Sequence, residues 1–276
     1  MQQVLKTMLE NVRAKTPLVH NITNYVTVND VANVLLAAGG SPIMSDDADD
    51  VEDITSICGG LNINIGTLNK NTIPSMFLAG KKANELGHIV LLDPVGAGAS
   101  RLRTDTANRL MREVRFDAVR GNISEIKTLC TGSGSTKGVD ADAVDAVTEA
   151  NLDDGVQLVK TFAQRAGCIV AVTGAIDLVS DGARCWCIRN GRAEMSRITG
   201  TGCQLSALMT AFLVANPDHK LDAAAAAVCM MGLAGEIGWA NMQPGDGNST
   251  YRNRIIDAIF NMTSDALEEG AKYELR

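Results

Sequence analysis

The stretch Arg197-Ile198-Thr199-Gly200-Thr201-Gly202-Cys203-Gln204-Leu205-Ser206-Ala207-Leu208 predicts a sharp glycine turn that opens directly into a helix. Gly200 and Gly202 carry no Cβ, so the backbone turns tightly here and approaches a bound group closely. From Leu205 onward, apolar residues recur at helical spacing. The first N–H groups of a helix lack intrahelical partners and lie at the positive end of its dipole. The stretch therefore predicts an anion site formed by the backbone of residues 200–203, with Cys203 at its mouth.

The same residues have a plainer interpretation, in which a glycine turn joins a strand to a core helix and Cys203 is a small buried hydrophobe. Short glycine motifs occur in many unrelated proteins. The choice between the two interpretations depends on the rest of the chain.

Strand and helix patterns alternate through the first two thirds of the chain. Apolar segments at 41–44, 61–66, 89–92 and 168–172 read as strands, and helical patterns separate them. Such alternation predicts right-handed crossovers and a mostly parallel sheet, in which ligands collect at the carboxyl ends of the strands. Residues 177–180 and 185–188 then predict a short antiparallel edge, with hairpin turns at Asp181-Gly182 and Asn190-Gly191. Residues 251–268 predict one final amphipathic helix.

Composition restricts the class of protein. The 276 residues are 46% hydrophobic and 21% charged, which is ordinary for a globular chain, and nothing marks a boundary between domains. We therefore expect a single domain over residues 1–276. A net charge of −7 argues against nucleic acid or an acidic membrane as the partner. No run reaches the roughly 18 apolar residues that suggest a membrane span, and the N-terminus does not resemble a signal peptide.

The seven cysteines are odd in number and scattered, with no Cys-x-x-Cys pair. They indicate neither a disulfide framework nor a zinc site. We therefore expect a chain of the reducing cytoplasm.

Polar residues follow the ends of several predicted strands. His20–Tyr25 forms a polar segment that suits either a ligand rim or a capping loop. Asp93 precedes a glycine loop, where it either contacts a ligand or pins the turn. Arg120 ends another strand and has the geometry to grip phosphate oxygens. Glu125 falls in the first turn of the next helix, where capping alone also accounts for an acidic residue.

Two other glycine patterns do not support nucleotide sites of the common kinds. Arg101 stands where the third glycine of a dinucleotide motif beginning at Gly96 is required, which disfavours NAD. The segment Ser135-Thr136-Lys137-Gly138 has the wrong order for a P-loop, and we interpret it as surface.

Six segments together resemble the hydroxyethylthiazole kinase family within the ribokinase-like superfamily, over about residues 16–265. The segments, in family order, are Pro17–Asn24, Ser41–Met44, Asp93–Ala99, Arg120–Glu125, Val172–Gly174 and Thr199–Cys203. The resemblance implies a ribokinase-like three-layer αβα fold with a mostly parallel sheet. It also implies transfer of the γ-phosphoryl group of ATP to the primary alcohol of 5-(2-hydroxyethyl)-4-methylthiazole in thiamine biosynthesis or salvage.

The resemblance also assigns site residues. The thiazole side is expected to involve Met44, Gly200, Asn24 and Val26. Arg120 and Thr173 match ATP-binding positions, and Asp93 and Glu125 match acidic positions associated with Mg²⁺, a cation that prefers oxygen ligands and bridges phosphates. Family members are homotrimers with the active site between subunits, so self-association is implied as well.

Cys203 occupies the position where most ribokinase relatives carry the aspartate base, and thiazole kinases resemble this chain in having cysteine. A helix N-terminus can lower a thiol pKa from about 8.5 to roughly 3.5–7.5, and a thiolate formed in this way could accept the hydroxyl proton. Because alignment and charge stabilisation dominate phosphoryl transfer, we expect Cys203 to assist and the backbone of residues 200–203 to contribute more.

Three alternatives to this function stay open. A hydroxymethylpyrimidine kinase shares the superfamily and can carry the cysteine, and only His20–Asn24 with Met44 favours the thiazole. An NAD(P)H-hydrate dehydratase of the same fold has aspartate in the glycine turn, so Cys203 counts against it. A non-catalytic nucleotide-binding protein would not need Arg120, Glu125 and Asp93 together.

Overall fold

The computed structural model describes residues 3–131 and 146–276. Its helices are α1 Val4–Lys15, α2 Val28–Ala38, α3 Val51–Ile57, α4 Thr72–Leu86, α5 Arg101–Glu113, α6 Ile123–Thr131, α7 Leu152–Ala166, α8 Thr201–Ala215, α9 Lys220–Ala240, α10 Asn248–Asn261 and α11 Ser264–Gly270. Its strands are β1 Leu18–Ile22, β2 Ser41–Met44, β3 Gly60–Asn64, β4 Ile89–Asp93, β5 Ala118–Asn122, β6 Ile169–Thr173, β7 Asp177–Ser180, β8 Cys185–Ile188 and β9 Tyr273–Leu275. The segment Ser135–Gly138 lies outside the described residues.

All nine strands form one sheet in the order β2-β1-β3-β4-β5-β6-β7-β8-β9. Neighbours from β2 to β6 are parallel, and those from β6 to β9 are antiparallel. The predicted α/β fold with a mostly parallel sheet is therefore confirmed. Because parallel strands place their carboxyl ends at one edge, β1 and β3–β6 deliver their last residues to the same side of the molecule.

Helices cover both faces of the sheet. Helices α8 and α9 pack on one face of the sheet, with α1, α10 and α11 packed on other helices of that side, and α4 to α7 bury their apolar side chains on the other face. Alternation along β4 shows why both faces need cover, since Leu91 belongs to the first core while Val90 and Leu92 belong to the second. The result is three layers.

Helix α9 is apolar on all sides. Its residues Ala223–Ala227 and the following methionines are buried, so small side chains let neighbouring helices approach closely. By length and mean hydropathy, Pro217–Ala240 would pass as a membrane span, although the sequence contains no unbroken apolar run of that length. Most of this segment is buried within the protein core.

The antiparallel edge is longer than predicted. Asp181-Gly182 joins β7 to β8 as expected, but Asn190-Gly191 is not a hairpin turn and leads to a short helix at Ala193–Arg197. The second neighbour of β8 is β9 near the end of the chain. The Asn190 side chain accepts the backbone N–H of Lys272 at 2.7 Å, so this turn clamps the returning chain.

The final helix predicted over residues 251–268 is wrong in extent. The helix is interrupted at Met262 and Thr263. The Thr263 hydroxyl accepts a hydrogen bond from the backbone N–H of Ala266 at 3.1 Å and so caps the N-terminus of α11. A capping threonine competes with helix continuation because its side chain satisfies an orphan N–H. Periodicity alone does not reveal this break.

Candidate active site

Helix α8 begins at the glycine turn, as the sequence predicts. Gly200 is its N-cap with φ +86°, a conformation that disfavours other residues, and a Cβ there would overlap the methyl group of Thr27. The first helical hydrogen bond runs from the Gln204 N–H to the Gly200 carbonyl at 2.9 Å. The N–H groups of residues 201–203 therefore point out of the helix end, where no side chain caps them.

Arg120 brings positive charge to this helix end. It lies in β5 and is only 9% exposed. Its guanidinium packs directly on Gly202, where an added Cβ would lie only 2.5 Å from Arg120 Nη1. Its Nη2 donates to Thr173 Oγ1 at 2.5 Å, and its Nη1 lies 3.7 Å from Asp93 Oδ2. A guanidinium and a row of outward amides thus converge, which is an arrangement suited to phosphate.

Asp93 is the most enclosed acid of the cluster. Its side chain is fully buried at the end of β4, and its Oδ2 accepts hydrogen bonds from Asn64 Nδ2 and Ser206 Oγ, both at 2.8 Å. Burial raises the pKa of Asp93, although Arg120 and the two hydrogen bonds oppose that rise. Its Oδ1 is buried and makes no hydrogen bond to the described residues.

Glu125 combines both roles that the sequence allows. Its Oε2 accepts the Asn122 N–H at 2.8 Å and Asn122 Oδ1 accepts the Glu125 N–H at 2.9 Å, which is the reciprocal bonding of a capping box. Its Oε1 accepts the Gly96 N–H at 2.7 Å, which ties the glycine loop to α6. Burial first, and then the charge of Asp93, raises the pKa of Glu125 to about 7.

Cys203 lies in the first turn of α8 and is 8% exposed. Its Sγ accepts a hydrogen bond from Asn24 Nδ2 at 3.2 Å. Burial and the charge of Asp93 raise the pKa of Cys203, and the nearby amides of Asn64 and Asn24 together with the charge of Arg120 oppose the rise only in part. Burial thus opposes the lowering of a thiol pKa that a helix N-terminus can produce, and it disfavours the thiolate form of Cys203.

The predicted acceptor-side residues differ in their surroundings. Asn24 is 4% exposed, and its Oδ1 accepts both the N–H and the hydroxyl of Thr27, at 3.1 and 3.0 Å. Val26 is exposed to solvent. Met44 packs against the small cluster that contains Cys203 and also lines a cavity of about 170 Å³ with Tyr25. Substrate contacts at Asn24, Val26 and Met44 stay predictions.

Two residues of the cluster escaped sequence analysis. Asn64 ends β3 directly beside Asp93 in the parallel register, and Ser206 lies one turn beyond Cys203 on α8. Strand-end position marks Asn64 as clearly as it marks Asp93 once the strand register is known. An amide in an otherwise apolar strand does not by itself indicate function, so sequence alone did not identify Asn64 as a site residue.

A metal centre made of protein ligands alone is not apparent in residues 3–131 and 146–276, where no three His, Cys, Asp or Glu side chains are grouped suitably. The free Oδ1 of Asp93 and the raised pKa of the Glu125 carboxyl nevertheless indicate uncompensated negative potential. Two carboxylates beside a phosphate site fit Mg²⁺, which binds through few protein oxygens and keeps several waters.

We predict that Glu125→Gln changes how stability depends on pH. The native carboxyl titrates at about pH 7 instead of 4.5, so its protonated form contributes stability that is complete below pH 4.5 and lost as pH rises through 7. In metal-free protein, the free energy of unfolding of the wild type should fall relative to the variant by about 3 kcal/mol over this range. Urea unfolding at several pH values measures this, and a constant difference would contradict it.

Known proteins resemble this chain over nearly its whole length. A model of the hydroxyethylthiazole kinase family matches residues 9–265. The chain is 56% identical over 271 residues to a hydroxyethylthiazole kinase of Clostridium acetobutylicum, covering 98% of this chain and 99% of that protein. It is 50% identical over 263 residues to the corresponding kinase of Clostridium beijerinckii, covering 95% and 94%.

Solved structures show the same relationship. A hydroxyethylthiazole kinase protein from Pyrococcus horikoshii superposes with a TM-score of 0.87 at 33% identity, covering 99% of this chain and 98% of that one. The pyridoxal kinase of Staphylococcus aureus, solved with AMP-PCP and pyridoxal, has a TM-score of 0.60 at 14% identity, covers 94% and 98% of the two chains and shares only the fold. The matches in sequence and structure extend over nearly the whole chain, and they establish that it belongs to the hydroxyethylthiazole kinase family.

Proposed function

We propose that this chain transfers the γ-phosphoryl group of ATP to the primary alcohol of 5-(2-hydroxyethyl)-4-methylthiazole, in thiamine biosynthesis or salvage. One observation carries the proposal. The Arg120 guanidinium, the outward amides of residues 201–203 and the Cys203 thiol meet at one helix end. Donors placed in this way stabilise the charge that spreads over the transferred phosphoryl oxygens.

The nucleotide side of the site would consist of Arg120 and Thr173. Their mutual hydrogen bond fixes one end of the guanidinium, and a guanidinium suits phosphate oxygens because it donates through several N–H groups. The Gly96 loop, fixed by Glu125, borders the same edge of the sheet. We assign ATP binding to these groups.

Asp93 and Glu125 would hold Mg²⁺ and its waters. The cation, when bound, neutralises phosphate charge and that of the two carboxylates. Asp93 is directed by Asn64 and Ser206, so its unused oxygen keeps a fixed position.

On the acceptor side we place the thiazole against Met44, Val26 and the Gly200 backbone, with Asn24 beside the alcohol. The cavity that Met44 lines has apolar walls that suit a methylthiazole ring, including Met76 and Val28. Polar side chains, among them Thr23 and Asn69, also line this cavity.

In the proposed mechanism, Cys203 accepts the hydroxyl proton late, as the oxygen attacks phosphorus. Only the thiolate form of Cys203 accepts this proton, giving the neutral thiol, and the hydroxyl becomes acidic enough to release it only as the new P–O bond forms. Alignment of the two substrates by the turn therefore contributes more than proton removal.

The first test is a coupled assay of ADP release, with the thiazole alcohol, the hydroxymethylpyrimidine and pyridoxal offered in parallel. We expect turnover with the thiazole alcohol and much less with the others. Preference for the pyrimidine would instead favour a hydroxymethylpyrimidine kinase. ATP-dependent repair of hydrated NADH would favour the dehydratase, and no turnover with any acceptor would contradict the proposal.

We predict that Cys203→Ala retains measurable kinase activity. Loss of a general base costs roughly 10²–10⁴-fold in kcat, whereas the phosphate-binding groups stay in place. Cys203→Asp should recover part of that loss because a carboxylate also accepts a proton. Complete inactivity of both variants, in folded protein, would make the thiol indispensable and defeat the assisting role.

We further propose that the chain works as a homotrimer in the cytoplasm, as a single domain. Large apolar side chains are exposed on the segment after β1 and on α2 and α3, namely Tyr25, Val26, Leu36 and Ile57. Such a surface favours burial against another subunit. All seven cysteines are free, which is consistent with a reducing compartment.

We predict that light scattering after gel filtration gives a mass three times the 29.2 kDa of the chain. Leu36→Glu should reduce that mass, because a buried unpaired charge disfavours association. Leu102→Glu, at a comparably exposed leucine on α5, is the matched control and should not. A monomeric wild type, or equal effects of both variants, would refute this interface.

A further inference from the structure

We propose that Asn64 is a positioning residue for phosphoryl transfer. Its one amide group holds Asp93 on the nucleotide side and, through Asn24, the Cys203 thiol on the acceptor side. This inference rests on the proposed function and deepens it, because it names the group that fixes the two halves of the site relative to each other.

The position of Asn64 is set by the sheet. It ends β3, which lies between β1 and β4, and it stands in register with Asp93. It is 1% exposed, so its amide has to be satisfied within the protein. The loop that follows β1 brings Asn24 to its other side.

The orientation of the Asn64 amide is determined by its partners. The backbone N–H of Gly66, which can only donate, lies 2.8 Å from Oδ1. Nδ2 therefore faces Asp93 Oδ2, which accepts its hydrogen bond at 2.8 Å. A flipped amide would leave a donor facing a donor and an acceptor facing a carboxylate.

The same logic orients Asn24. The Thr27 N–H donates to its Oδ1, so Nδ2 donates both to Asn64 Oδ1 at 3.1 Å and to Cys203 Sγ at 3.2 Å. The hydrogen bonds then run in one direction, from Thr27 through Asn24 and Asn64 to Asp93. The Cys203 sulfur accepts a hydrogen bond from Asn24, so the thiol proton, when present, points away from Asn24.

Packing around the two amides also restricts their orientation. A Cβ on Gly66 would lie 2.8 Å from both Asn24 Nδ2 and Asn64 Oδ1, so the loop closes over the two amides without room for a side chain. Rotation of either amide is therefore blocked by packing and by its partners. Removal of Asn64 would take one hydrogen-bond partner from Asp93 and one from Asn24 at the same time, leaving each with fewer groups to hold it.

The test compares Asn64→Ala and Asn64→Asp with the wild type. The aspartate variant preserves size and the acceptor for Gly66 and Asn24 but removes the donor to Asp93. Loss of a group that orients a metal-binding or reacting residue typically lowers activity roughly 10–100-fold. We expect a fall of that size in kcat for both variants, with KM for ATP and for the thiazole alcohol changed less than about threefold.

Asn62→Ala is the matched control. Asn62 lies on the same strand and the same face as Asn64 and is fully buried. Its side chain donates to Asn21 Oδ1 at 3.0 Å and takes no part in the hydrogen bonds that link Cys203 to Asp93. We expect a similar loss of Tm in the two alanine variants, with kcat of Asn62→Ala within about threefold of the wild type. Calorimetric binding of AMP-PNP to each variant shows whether the nucleotide site persists.

Three results would overturn the inference. These are wild-type kcat in both Asn64 variants, an equal loss of kcat in Asn62→Ala, and a loss that appears only in KM. If Asn64→Ala does not fold, the size-conserving Asn64→Asp decides alone. A wild type that fails to phosphorylate the thiazole alcohol would instead refute the proposed function, so the two failures are distinguishable.

Discussion

The site depends on the close approach of two side chains to a glycine turn. Thr27 packs on Gly200 and Arg120 packs on Gly202, each in the space that a Cβ would fill. These contacts bring the loop after β1 and the end of β5 to the same helix end. Without the two glycines, the amides of residues 201–203 and the guanidinium would be held apart by the width of a side chain.

Burial of charge is the second constraint. Asp93 and Glu125 are almost entirely enclosed, and Arg120 offsets only part of their charge, so burial raises the pKa of both acids. Buried carboxylates are unfavourable unless paired, and sites that bind cations and phosphates often contain such groups. The two buried carboxylates therefore carry an electrostatic cost that a cation beside them would offset.

Much of the fold follows from residue patterns, because apolar segments of strand and helix length alternate with short loops. The antiparallel end was underestimated, since β9 pairs with β8 from a distant part of the chain and no local pattern reports that contact. The break between α10 and α11 was missed because Thr263 interrupts an otherwise continuous helical pattern. Such errors arise where tertiary pairing or capping overrides periodicity.

The sequence predicts which residues form the site better than it predicts their protonation. Motif resemblance indicates Asp93, Arg120 and Cys203, which the fold brings together, but no sequence pattern reports the burial that raises the pKa of the Cys203 thiol. The role of Asn64 can be recognised only once the strand register is known.

The close packing of Thr27 on Gly200 limits which positions can be changed in directed evolution, because any side chain at position 200 would overlap Thr27. Substitutions at the turn would perturb the backbone, whereas Met44, Met76 and Val28 line the cavity in which we propose that the alcohol binds, so a library for other alcohols belongs there.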